Sequence, residues 1–155
     1  SGTGLSWRDV MEIARQSPAL GGSTLEDPAF REWLADYYVN AEAIRLLSFR
    51  TLTALARGHA PGPEGSAGKL LWATQTQELT NQALDIQDHF GLIDDPEVAL
   101  LNGAFQHRFL WAPALRLGGG TDEIMKNIIA ERVLGLPGDV RVDKTVPFRE
   151  IPTGR

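Results

Sequence analysis

The sequence predicts an all-α bundle of four or five helices, and three observations carry that prediction. Apolar residues recur at three- and four-residue steps over long stretches. Clusters of Gly and Pro cut the chain at helix-length intervals. The one stretch with alternating valines, near the C-terminus, has no second strand to pair with. A chain of 155 residues that is 43% hydrophobic is the size of one domain with one sizeable core.

The elements follow in order. Residues 1–4 read as a disordered start or an expression remnant outside the fold. Ser6, with Asp9 three residues on, forms a capping-box-like start for a helix carrying Val10, Met11 and Ile13. Gln16, Ser17, Pro18 and the pair Gly21-Gly22 end it, leaving a helix short for its apolar content, as if entered partway. Asp27-Pro28 opens the longest helix, with an acid at the cap and Pro at the first helical position. Its apolar stripe runs from Phe30 through Trp33, Tyr37, Ile44 and Leu47 to Leu55, and Gly58 is placed to terminate it. Its length of about thirty residues calls for a helical partner.

After a Pro-containing loop, a third helix is expected from near Ser66 to about Gln87. Its middle, Thr74 to Gln82, is unusually polar. Two readings stand: a solvated face, or a surface turned toward another domain, subunit or cofactor. Pro96 is placed to open a further helix through Leu100 and Leu101, with Gly103 kinking or dividing it before Phe105, Phe109 and Trp111. Gly118-Gly119-Gly120 then breaks the chain, and Thr121 caps a last helix whose buried stripe is expected to be Ile124, Ile128, Ile129, Val133 and Leu134. Gly135 and Pro137 stop that helix. The domain is thus residues 5–137, and residues 138–155 form an extended tail lying over a neighbour.

Composition narrows the chemistry. Fifteen Lys and Arg against twenty Asp and Glu give a net charge of -5 without any basic stripe, which argues against nucleic acid as a partner. No apolar run approaches the ~20 residues that span a bilayer. Zero cysteines exclude disulfides, thiolate metal sites and Cys nucleophiles, and fit a cytoplasmic setting. His59, His89 and His107 are too scattered for a metal site, so no metal ligand is assigned. No Gly-x-Ser-x-Gly elbow is present. One local feature stands out: the triple glycine running into Thr121-Asp122-Glu123-Ile124. It is either a tight interhelix turn with an ordinary cap, or a helix end whose bare backbone approaches a ligand closely.

From Gly119-Gly120-Thr121-Asp122-Glu123-Ile124 to Leu134-Gly135-Leu136-Pro137 the chain resembles the closing helix of the acyl-CoA dehydrogenases. The pattern there is roughly (E/G)-G-(T/S)-x-(E/Q)-I-x-x-x-I-I-A-x-x-x-L-G. Gly65 to Trp72, Leu84-Asp85-Ile86 and the tail Arg141 to Phe148 also resemble actinobacterial-type members, so the likeness covers most of Asp27 to Phe148. The resemblance implies an up-down four-helix bundle, the C-terminal domain of an enzyme with an α-helical N-terminal and a β-rich middle domain. It implies FAD as cofactor, acyl-CoA thioesters as substrates and electron-transfer flavoprotein as acceptor, in the oxidation of fatty acyl or steroid side chains. A Glu removes the α-proton and the flavin takes hydride from the β-carbon.

Residue by residue, the resemblance assigns Gly120, Thr121, Glu123 and Gly91 to the cofactor. It assigns no catalytic residue here, because the family's base position is Gly119. The Arg-x-x-Phe-Gly motif that reaches a neighbour's FAD is absent from Gly21 to Phe30. The Gly-Gly-x-Gly turn stands as Asp88-His89-Phe90-Gly91, with an acid where a pyrophosphate would lie. These departures imply a fragment inactive alone, providing subunit packing and part of the flavin and acyl pocket in a homo- or hetero-oligomer. The other reading is a non-catalytic partner subunit or scaffold.

Overall fold

The computed structural model describes residues 4–19, 22–138, 143 and 146–151. Among the described residues five α-helices make up the fold: α1 (Trp7–Gln16), α2 (Pro28–Ala56), α3 (Gly65–Asp85), α4 (Ala104–Leu115) and α5 (Asp122–Ile128), the last continuing as a π-helical turn over Ile129–Val133. Two residues on either side of the α1–α2 turn, Pro18–Ala19 (β1) and Gly22–Ser23 (β2), pair antiparallel. This bridge is too small to change the all-α class.

Local signals explain the boundaries. The Ser6 backbone N–H and hydroxyl both donate to Asp9 Oδ2 at 2.7 Å, so Asp serves where Glu is usual. Asp27 Oδ1 accepts from Ala29 N at 2.9 Å, and Pro28 occupies the first position of α2. Gly58 takes φ 77 just beyond the other end, the left-handed exit a residue with Cβ resists.

The helices alternate in direction. The first half of α2 faces the end of α3, where Trp33 and Tyr37 share a groove with Glu78 and Gln82, and the second half faces its beginning. Helix α4 runs back along α3, because Arg116 bonds Gln77 while Gln106 bonds Phe90 just past the end of α3. Helix α3 is therefore the central member, touching every other helix. Val10, Ile13, Ala14, Phe30, Leu79, Ala83 and Phe105 bury the core between α1, α2, α3 and α4. Trp33 stacks obliquely between Phe30 and Tyr37, and Trp7 meets Tyr38 edge-on at 5.6 Å.

Four expectations change. The polar middle of α3 is neither a solvated face nor a docking face as a whole: Gln75, Thr76 and Thr80 lie buried in the bundle itself. The threonine hydroxyls donate to carbonyls one turn back, Thr76 to Trp72 at 2.8 Å and Thr80 to Thr76 at 3.1 Å, so they need no outside partner. Only Glu78 and Asn81 face water. Pro96 opens a turn rather than a helix, and Leu101, Asn102 and Gly103 all take positive φ before α4 begins. The stripe expected to be buried on the last helix is buried only in part: Ile124, Val133 and Leu134 are exposed and Ile128 and Ile129 half-buried, while Asp122 and Met125 face the bundle. The apolar stripe of α2 also outruns the core, leaving Leu52 and Leu55 uncovered.

In the tail, Phe148–Glu150 forms a single 3-10 turn with Phe148 exposed, while Val140 and Val142 lie outside the described residues. No helix among the described residues is long and apolar enough to cross a membrane.

Candidate functional site: the glycine turn between α4 and α5

The chain leaves α4 at Arg116 and reaches α5 through Gly118, Gly119 and Gly120. Gly119 and Gly120 have φ 71 and 107, conformations that a Cβ makes costly, which is why this turn is built of glycine. A Cβ on Gly119 would meet open space, whereas one on Gly120 would strike the Met125 methyl. Thr121 then caps α5: its hydroxyl accepts from Ile124 N at 3.4 Å and its carbonyl from Met125 N at 2.9 Å. Glu123 lies exposed beside this cap. Its own backbone N–H and the Thr121 hydroxyl hold its carboxyl below the usual 4.5, so it is ionised at neutral pH.

Two cationic side chains anchor the turn to the bundle. Lys69 Nζ donates to the Gly120 carbonyl at 2.6 Å, bridging from α3. Arg116 spans three elements: Nε and Nη2 meet Asp122 Oδ2 at 2.6 and 2.5 Å, and Nη1 meets Gln77 Oε1 at 3.2 Å. Asp122 is 4% exposed, and its other oxygen receives no donor among the described residues. Lys69 also lines an open cleft of about 520 Å³ between α2 and α3, walled by Ile44, Leu47, Ala54 and Trp72 with Arg50 on its rim.

The structure thus brings Gly119, Gly120, Thr121 and Glu123 together in one turn. Gly91 is elsewhere. It packs on the C-terminal end of α3, where a Cβ would lie 2.5 Å from the Leu84 carbonyl oxygen. From Lys69, which holds the turn, to Leu84 the axis of α3 rises roughly 22 Å. Asp88, in the same segment as Gly91, takes φ 51: an aspartate sits in glycine-type backbone, with its carboxylate exposed beside His89 at 3.5 Å. Lys69, Arg116 and Asp122 went unassigned in the sequence, although a lone Lys within the small and apolar run Gly65 to Trp72 was a usable signal. Among the described residues no group of three or more His, Asp or Glu is placed to hold a metal.

These residues fit one part of a flavin and not another. The Gly119–Glu123 turn offers an open backbone, a hydroxyl and an ionised acceptor suited to N–H or O–H groups of a ligand. The Asp88–Gly91 turn offers an exposed carboxylate, which repels a pyrophosphate.

A family model for the C-terminal domain of acyl-CoA dehydrogenases matches residues 6–134. Acyl-CoA dehydrogenase IpdE1 of Mycolicibacterium smegmatis is 35% identical over 136 residues, which cover 86% of this chain and 31% of that protein. IpdE1 of Mycobacterium tuberculosis is 33% identical over the same length. The chain therefore spans about a third of the length of these two curated relatives. A structure described as the Tcur3481-Tcur3483 steroid ACAD superposes with a TM-score of 0.72 at 27% identity, over 86% of this chain and 34% of the other. The ChsE4-ChsE5 complex from Mycobacterium tuberculosis shares the fold, with a TM-score of 0.73 at 24% identity over 86% of this chain and 35% of the other. The antiparallel bundle, the glycine turn with its Thr cap and the match along nearly all of the helical region converge: the chain belongs to the acyl-CoA dehydrogenase family and carries that family's C-terminal domain.

Proposed function

We propose that this bundle serves an FAD-dependent acyl-CoA dehydrogenase as the element that packs subunits and walls part of the flavin and acyl pocket, the catalytic base coming from outside it. The observation that carries this reading is Gly119. It stands at the family's base position with open space where a side chain would begin, so that position offers no carboxylate for α-proton abstraction. FAD, when bound, supplies hydride acceptance from the β-carbon. Toward it the chain contributes the open backbone of Gly119 and Gly120, the Thr121 hydroxyl and the Glu123 carboxylate.

The acidic turn at Asp88 favours a division of labour between unlike chains, because it withholds a phosphate cradle from any flavin seated there. The structural neighbour described as a steroid ACAD supports a bulky acyl-CoA, such as a steroid side-chain thioester, as the substrate class. Electron-transfer flavoprotein is the expected acceptor, and the absence of cysteine fits work in the cytoplasm. The test is turnover. Purified alone, the chain should reduce no acceptor dye with any acyl-CoA; reduction by the chain alone overturns the reading.

A further inference from the structure

We propose that Lys69 is a positioning residue that sets the orientation of the glycine turn's last peptide plane. Its role as a site component rests on the reading above that this turn faces the ligand. The Gly120 carbonyl is held against α3 by the Lys69 ammonium at 2.6 Å, across 51 residues of sequence. In a planar trans peptide the C=O and the following N–H point in opposite directions. Fixing the Gly120 oxygen toward α3 therefore turns the Thr121 N–H away from the bundle, and that N–H meets no acceptor among the described residues. An outward N–H is a donor for a carbonyl or ring-nitrogen acceptor on a ligand.

Nothing else in the turn enforces this orientation. With glycine at both 119 and 120, at φ 71 and 107, no resident Cβ opposes a flip of the peptides they flank. The Arg116–Asp122 pair holds the two helix ends and does not touch the Gly120 carbonyl. Lys69 is half-buried, so its bond is partly shielded from water and stronger than a surface contact. A helix-borne cation thus acts as the rotational stop of a turn that glycine leaves free.

The experiment is amide hydrogen exchange on the full-length protein, comparing wild type with Lys69→Met and Lys69→Arg. Met keeps the length and helix propensity of Lys and removes the donor; Arg keeps a cationic donor. The reporters are Ile124 and Met125, whose N–H groups are held by the Thr121 hydroxyl and carbonyl. Their exchange should speed up about tenfold in Lys69→Met, recover at least partly in Lys69→Arg, and leave Ala73 to Ala83 of α3 unchanged. Exchange unchanged at Ile124 and Met125 overturns the proposal. So does an equal loss of protection along α3, which would assign Lys69 to helix packing. The measurement needs no flavin, so failure of the cofactor reading leaves it interpretable, and a bound flavin does not rescue a Lys69 that proves idle.

Discussion

Gly91 and Gly119 each resist a side chain, for opposite physical reasons. At Gly91 the obstacle is contact: a Cβ would lie 2.5 Å from a backbone oxygen that cannot move without disturbing the end of α3. At Gly119 space is open and the obstacle is φ 71. Gly91→Ala should therefore cost about 2 kcal/mol or more, and Gly119→Ala only about 1 kcal/mol, measured as shifts in urea-unfolding free energy. Equal costs would contradict the distinction. Thr121 and Glu123 give a pH signature. The folded carboxyl of Glu123 sits below its ordinary value of 4.5, so its contribution is present above the usual carboxylate range and is lost as pH falls through the lowered folded value. An NMR titration should place its midpoint below 4.5, and Thr121→Val, which removes the hydroxyl donor, should move it upward. The cap and the carboxylate were legible in the sequence because the signals are local. Lys69 shows in the sequence only as a lone Lys within a small and apolar run, and its acceptor, a backbone carbonyl 51 residues away, is announced by no side-chain pattern.

Among the elements, α3 shows why polar sequence misleads about exposure. Threonine in a helix can satisfy its hydroxyl on the carbonyl one turn back, so Thr76 and Thr80 are buried at little cost. Hydropathy counts those hydroxyls as unmet. The opposite error occurs on α2, α4 and α5, where apolar residues face outward beyond the core. The stripes were read correctly as stripes, yet periodicity does not say what covers them. A paired substitution makes the difference measurable. Phe105→Ala, at the centre of the core, should destabilise by about 3–5 kcal/mol. Leu110→Ala, on the same helix but 74% exposed, should stay within about 0.5 kcal/mol. The failed helix start at Pro96 has a further cause: Leu101 and Asn102 adopt positive φ, which propensity alone does not foresee.

Taken as a whole, the molecule exposes more large apolar side chains than one covered core requires, among them Val39, Leu46, Phe49 and Leu52 on α2 and Leu110, Trp111 and Leu117 around the end of α4. Contiguous apolar surface of this kind associates in water. Sedimentation of the isolated chain should show self-association that weakens on dilution, and a clean monomer at tens of micromolar would contradict that reading. The bundle class followed from the Gly and Pro punctuation and the long periodic helices, and its antiparallel order from the family resemblance. Subunit arrangement is not encoded in that punctuation. The central claim, that this bundle holds neither base nor phosphate cradle and completes its chemistry with an unlike chain, is tested most directly by flavin absorbance. The full-length protein should be measured purified alone and again after co-purification with a co-encoded homologue. The account predicts colourless protein alone and flavin colour only in the mixture; stoichiometric flavin on the protein by itself would contradict it.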